Sequence, residues 1–458
     1  MHPTPSVNTL LGSLLSAHSE WSGALQVAGV VVRLDGKIDE AWGQSADSRT
    51  VFRIASMTKS FTAALIVMLR DEGILELDRP VAQYAPELGS VVGPGASPQP
   101  ITLRDLLSMS SGLVNDDPWA DRHMNATDED LDRWIASGLR FAHPTRTAFE
   151  YSNLGFALAA RVVWRVTGQR LQDLVAKRIL APLGMSHTSW EEDSLPVGSE
   201  IAHGWTLANG QLAKVKPLDD GVIAPMGGLW SNCHDLAKWV GSLSGAFCDH
   251  TPDGPIRKAS LREMQQVQRS YGSRVIEASD GLDFRLQGGY GFGLNVHVDQ
   301  FRGAVWHSGG LPGYGSTMRW VPGGGGVVLL ANLTYAPMTV AGARLVDALR
   351  HNGHLGSAAE KFDSETEHAA RALVDLFNNW SEWSANDLFA DNLLVDQVAE
   401  VRIAEANAKL AGHRGEYVCV EDDSGPIMTL RAGNSLHRVR FSLAPISPAR
   451  IQHYRWLR

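Results

Sequence analysis

A serine is followed three residues later by a lysine in Ser56-Met57-Thr58-Lys59, where a short apolar strand, Phe52 to Ala55, gives way to a run with apolar residues at Phe61, Ala64, Leu65 and Met68. That spacing predicts a helix starting at Ser56. Residues three apart on a helix are neighbours, so the Lys59 amine falls within reach of the Ser56 hydroxyl, a nucleophile beside its base. The helix N-terminus adds unpaired N–H groups and partial positive charge, which favour neutral Lys59 and an oxyanion on an acylated Ser56. A Ser-x-x-Lys alone also reads as a serine cap followed by a solvated lysine. The chemistry therefore depends on what else the chain supplies.

Tyr151 and Asn153 sit together just before a second predicted helix, Phe156 to Val166, which Thr167-Gly168 closes. The phenol can pass a proton to a leaving group, and the amide can orient a substrate carbonyl or amide. His307 lies on a predicted strand that ends in Gly309 and Gly310. An edge strand lined with glycines admits a substrate backbone, and the Gly310 N–H can join that of Ser56 in an oxyanion hole. Trp119, Trp230, Tyr290 and Tyr314 are expected in loops near these residues and are candidates for the pocket wall. Each residue also has a structural reading: Tyr151 as a half-buried aromatic, Asn153 as a helix cap, His307 as a satisfied core histidine.

The elements that must hold these groups begin with a predicted opening helix, about Leu10 to Glu20, and a buried strand from Gln26 to Leu34. Asp35-Gly36 turns that strand into a hairpin, and Ala208-Asn209-Gly210-Gln211 marks another. Thr102, with Asp105 three residues on, caps a helix that Gly112 ends, and Asn232 caps a helix from Cys233 to Leu243. Gly289 onward starts a run of strands whose later turn is the glycines at 323 to 326. The loop Asn115 to Asp121, with one tryptophan and three carboxylates, can rim a pocket. Past Arg350 the stretch His351 to Glu367 is polar and without apolar period, which predicts a linker. Two amphipathic helices follow, one around Leu373 to Trp380 and one from Val395 to Leu410, with short strands near Tyr417, Ile427, Val439 and Ile451. The expected domains are therefore 1–355 and a small α+β module, 356–458.

With 458 residues, 44% apolar and 20% charged, the chain has a globular composition with room for a large core. A net charge of −9 with no basic run excludes nucleic acid and an anionic membrane surface as expected partners. No stretch of about 20 apolar residues could span a bilayer, and the N-terminus lacks the pattern of a secretory signal, so a cytoplasmic protein is expected. Cys233, Cys248 and Cys419 are too scattered for a disulfide framework or a zinc site. His351 and His354 lack a third ligand, and neither glycine cluster has nucleotide-loop spacing, so neither metal nor cofactor is expected.

Ser56-x-x-Lys59, Tyr151-x-Asn153 and His307-x-Gly309, in this order, resemble the three motifs of the serine β-lactamase and penicillin-recognising fold, in particular the class C β-lactamase-like hydrolases of the CubicO group. The resemblance covers roughly residues 8 to 350 and extends to Leu106 to Leu113 and Gly227-Gly228-Leu229. It implies an α/β (α+β) fold: an antiparallel sheet flanked by helices, an all-helical region carrying Tyr151, and the site in the groove between them. It also implies a serine acyl-enzyme, with Ser56, Lys59, Tyr151 and His307 as the catalytic set. Asn153, Gly309, Gly310, Trp230, Tyr314 and Trp119 are its expected substrate contacts. Antibiotic-hydrolysing members carry a lysine in the third motif; His307 would be a weaker, titratable cation there. This favours esters, peptides or amides of D-amino acids over β-lactams. Rival readings are a penicillin-binding-protein-type thioesterase that cyclises peptides, a β-lactamase or D,D-carboxypeptidase, and a catalytically idle ligand-binding relative. The expected partner is a small-molecule or peptide substrate, and the sequence leaves the oligomeric state open.

Overall fold

Val27-Ala28-Gly29-Val30-Val31-Val32 carries no polar side chain and is buried throughout as strand β1 (Val27–Val32). A strand apolar along its whole length needs cover on both faces. In the computed structural model, which describes residues 24–95, 98–217, 219–248, 251, 253–276, 284–297, 303–355, 364–422 and 426–457, it has that cover. The Asp35-Gly36 turn, with Gly36 at φ +77°, leads into β2 (Ile38–Gln44). Then come β3 (Phe52–Arg53), β4 (Trp205–Ala208), β5 (Gln211–Lys214) and β6 (Trp230–Ser231). β7 (Arg269–Ile276), β8 (Phe284–Tyr290), β9 (Asn295–His297), β10 (Ala304–Leu311), β11 (Tyr314–Val321) and β12 (Gly325–Ala331) follow. Eight of these form one antiparallel sheet in the order β2-β1-β12-β11-β10-β9-β8-β7. β3 pairs with β6 and β4 with β5, the latter across Asn209 and Gly210, both at positive φ.

The side-chain alternation of the central strands divides the sheet into two packed faces. Ala28, Val30, Val32, Val328 and Leu330 enter one core with the helices Thr58–Asp71, Leu154–Thr167 and Cys233–Gly245. Val27, Val31, Val327, Leu329 and Ala331 enter the other with the helix Met338–His351. Each fully buried Val or Leu contributes roughly 1.5–3 kcal/mol relative to exposure. A one-residue slip of β12 would swap its two sets between differently shaped cores, so packing fixes the register.

The caps read from the sequence are present: Thr102 and Asp105 form a capping box, and the Asn232 side chain accepts from the Asp235 N–H. The helix after Thr102 is short, however, Leu103–Leu107, and Gly112 serves another purpose. At φ +83° it lies where a Cβ would be 2.2 Å from the His143 carbonyl oxygen, so two segments cross there. The helix Asp128–Ser137, capped by Thr127 and Asp130, completes the helical region beside Leu154–Thr167, which ends at the left-handed Gly168. The expected opening helix, Leu10 to Glu20, lies outside the described residues. No helix among the described residues is long and apolar enough to cross a membrane.

Contacts divide the chain into two compact units, Met1–Ser357 and Ala358–Arg458. The expected linker is shorter at both ends than its polarity suggested: the preceding helix runs through His351, and another starts at Ser364. In the second unit the helices Ser364–Asn378, Glu382–Leu388, Leu393–Asp396 and Ala399–Leu410 precede β13 (Gly415–Asp422), β14 (Pro426–Ala432), β15 (Ser435–Leu443) and β16 (Ile451–Trp456), an antiparallel meander. Leu373, Phe377, Leu393, Leu430 and Phe441 share its core. The single helix expected from Val395 to Leu410 is broken at Gln397-Val398, which are extended. Arg402 stabilises the break: its guanidinium donates to the Gln397 carbonyl, and to the Leu393 carbonyl that also accepts from the Gln397 N–H.

Candidate active site

Ser56 is held by a tight turn and not by the α-helix itself. Ala55–Met57 forms a 3₁₀ turn, and the α-helix starts at Thr58. Ala55 has φ +50°, a conformation that costs a residue with a Cβ on the order of 1 kcal/mol or more. Both sides of the turn are anchored. The Ser316 hydroxyl donates to the Ile54 carbonyl at 2.7 Å, and the Ile54 N–H donates to Leu229 O at 3.0 Å. Gly309 on β10 comes so close that a Cβ there would lie 2.4 Å from Ile54 O and 2.7 Å from Ala55 Cβ. Glycine in the third motif is thus what lets the strand approach the serine. Only residues 304–306 of β10 pair with β9, so from His307 to Leu311 that edge has no strand partner among the described residues.

Lys59 is fully buried, and its ammonium donates to Ser56 Oγ at 3.0 Å, Asn153 Oδ1 at 2.6 Å and the Met226 carbonyl at 2.9 Å. Burial pulls its pKa down to about 8, against the opposing pull of Asp117, Asp116 and Asp121. About a tenth of it is therefore neutral at pH 7. Tyr151 is hydrogen-bonded to Ser56, and burial together with the same aspartates pushes its pKa well above the usual phenol value. The phenol is thereby held in its protonated form.

Tyr151 is aimed by the segment that carries the crossing at Gly112. Arg146 makes two hydrogen bonds of 2.9 Å to the buried Asp105 carboxylate, and the Glu150 N–H donates to Met109 O at 2.9 Å. Asn153 stands at the N-cap position of the helix Leu154–Thr167, but its side chain makes no capping bond. Asp116 caps it instead, accepting from the N–H groups of Asn153 and Leu154, both at 2.7 Å. The Asn153 side-chain protons go to Asp116 at 3.1 Å and to Asp117. Both amide protons thus have partners inside the protein, and the amide oxygen meets Lys59.

His307 has a partner on both ring nitrogens. The histidine is buried, its Nδ1–H donates to Ser308 O at 2.7 Å, and its Nε2 accepts from the Tyr290 hydroxyl at 2.9 Å. Burial and the neighbouring Lys59 pull its pKa down to about 3. Burial thus favours its neutral form, against the titratable cation expected from the sequence. The aromatic candidates also separate. Trp230 and Tyr314 are buried edge to face behind Arg53, whose guanidinium lies 4.9 Å from the Trp230 ring. Trp119 is 39% exposed, stacks on His123 and meets Trp134 edge to face. Gly310 is roofed by Tyr335, whose hydroxyl donates to Asp121 at 2.8 Å. The sequence reading missed Met226, Ser316, Tyr335 and the partners of Asn153; the acidic loop Asn115 to Asp121 was the one available signal.

A serine and lysine in contact below an open sheet edge, faced by a tyrosine from a helical region, are the arrangement of serine hydrolases with the β-lactamase/transpeptidase fold. The Beta-lactamase family model matches residues 15–351, and the chain belongs to that family. It is 29% identical over 317 residues to the unguisins hydrolase ungD' of Aspergillus campestris, covering 65% of this chain and 55% of that protein. The chain thus spans little more than half the length of that relative. It is 26% identical over 315 residues to the D-alanyl-D-alanine-carboxypeptidase/endopeptidase AmpH of Escherichia coli, covering 66% of this chain and 77% of that one. The octameric penicillin-binding protein homologue from Pyrococcus abyssi shares the fold with a TM-score of 0.60 at 21% identity, over 97% of this chain and 95% of that one.

Proposed function

We propose that the protein hydrolyses ester or amide bonds of small or peptide substrates, bonds at D-amino acids foremost, through an acyl-enzyme on Ser56. The observation that carries this reading is the 3.0 Å contact between Ser56 Oγ and an amine whose pKa burial has brought to about 8. Neutral Lys59 takes the Ser56 proton as the hydroxyl attacks the carbonyl. The oxyanion rests on the N–H groups of Ser56 and Gly310. As the intermediate collapses, Tyr151 gives its proton to the leaving atom and regains one from Lys59. Water then attacks the ester by the reverse path. The β9-side edge of β10 from His307 to Leu311, which has no strand partner among the described residues, gives an extended substrate a strand to lie along. Neutral His307 leaves the third motif without a charge for a β-lactam carboxylate. AmpH, by its name, acts on D-alanyl-D-alanine bonds.

The test is covalent labelling with a fluorophosphonate, followed by turnover of p-nitrophenyl esters, D- and L-aminoacyl anilides and nitrocefin. Ser56 is expected to take the label, with D-anilides and esters turned over ahead of nitrocefin. Labelling that persists in Ser56→Ala, or ester turnover at the wild-type rate in that variant, would overturn the reading.

A further inference from the structure

Two aspartates that touch neither the serine nor the lysine face the site through a single amide. Asp116 and Asp117 lie in a loop 37 and 36 residues before Asn153, and together they take both protons of its side-chain amide. A carboxylate can only accept, so the nitrogen end of the amide must face the aspartates and the oxygen end must face Lys59. The reverse orientation would set the amide oxygen against two carboxylates and its protons against an ammonium. Asp116 also accepts from the backbone N–H groups of Asn153 and Leu154, which fixes the second-motif helix to the same loop.

We propose that Asp116 and Asp117 are positioning residues of the proton path: through Asn153 they fix the acceptor that holds Lys59 beside Ser56, and their charge sets how readily Lys59 gives up its proton. This rests on Lys59 being the base of the reaction. The groups facing the amine are Ser56 and Met226 O from its own side, Asn153 and Tyr151 from the second motif, and His307 across the groove. Tyr151 stays protonated and His307 stays neutral, so the charges acting on Lys59 come from Asp116, Asp117 and Asp121. Asp116 is fixed by three N–H donors, whereas Asp117 can be changed to asparagine with its acceptor oxygen retained.

The experiment is the pH dependence of kcat/KM for p-nitrophenyl butyrate in wild type and Asp117→Asn. Removing a negative charge disfavours the ammonium, so the acid limb set by Lys59 should move to lower pH, by about one unit. The alkaline plateau should stay within a few-fold of wild type. Asp117→Ala, which also leaves an amide proton of Asn153 without its acceptor, should lower that plateau as well. A limb unmoved in Asp117→Asn overturns the proposal, because a purely structural aspartate would scale the profile without shifting it. If Asp117→Asn does not fold, Asp117→Glu keeps charge and acceptor and should restore the wild-type limb; a limb displaced downward there also overturns it. Failure of the underlying reading looks different: Ser56→Ala would then still turn over the ester.

Discussion

Lys59 lies closer to Asn153, at 2.6 Å, than to the Ser56 hydroxyl it serves, at 3.0 Å. The shorter bond goes to a neutral acceptor, and among the described residues no carboxylate hydrogen-bonds to the buried ammonium. An adjacent carboxylate would hold the proton on the amine, whereas an amide locates the amine and leaves its pKa low.

The consequence is a pH profile with a defined sign. A base must be neutral to act, so kcat/KM on a p-nitrophenyl ester should rise with pH and reach half its maximum near pH 8, where Lys59 loses its proton. Asp121, pushed up to about 6 by burial, gains its charge below that limb and then raises the affinity of Lys59 for its proton. Any shallow inflection near pH 6 should vanish in Asp121→Asn. An inflection that survives in that variant would return a titrating role to His307.

His307 itself should be visible in stability. Its folded pKa of about 3 lies below the ordinary 6.5, so between these values the unfolded chain binds a proton that the folded chain does not. Stability from this group is present above pH 6.5 and is lost as pH falls, by about 1.4 kcal/mol per unit in that window. Asp121 opposes it from pH 6 downward, because its folded pKa is raised. In His307→Gln the drop in denaturation midpoint between pH 6.5 and 5 should be smaller than in wild type. Equal drops would show that the histidine is protonated in the fold.

How far the sequence disclosed this site depends on the range of each interaction. Ser56 and Lys59 were legible because helical spacing makes them neighbours, and the turns at Asp35-Gly36 and Asn209-Gly210 because their residue types select the turn. The role of Asn153 was hidden, since its partners lie 36 and 37 residues away and a residue before a helix ordinarily reads as a cap. The neutrality of His307 follows from burial against Tyr290 and Lys59, a tertiary property with no local signature. Met226 acts through its carbonyl, which every residue has.

Gly309 should be the most sensitive position outside the hydrogen-bonded set. Its Cβ in Gly309→Ala would sit 2.4 Å from Ile54 O and 2.7 Å from Ala55 Cβ, against a turn already at positive φ. Relief requires the strand and the turn to part, at a cost of about 1–3 kcal/mol in stability. A displacement of that kind should lower kcat/KM on the order of 10²-fold. The comparison is Gly353→Ala, at a glycine with open space around it and φ +72°, where activity should hold. Full activity in Gly309→Ala would show that the strand does not constrain the serine.

The two units keep their cores apart along the chain. Every residue of the two cores that flank the large sheet precedes residue 356, and every residue of the third core follows residue 368. A unit that buries its apolar faces within itself can fold alone. Protein spanning residues 1–357 is therefore expected to unfold cooperatively and to label at Ser56 at the full-length rate. The second unit is expected to alter selectivity and not the chemical step, since every group named about Ser56 precedes residue 336. The readout is kcat/KM on a long peptide relative to a short ester, with and without residues 358–458. An unchanged ratio would remove the selectivity role, and insoluble or unlabelled 1–357 protein would show that the catalytic unit depends on the second for its fold.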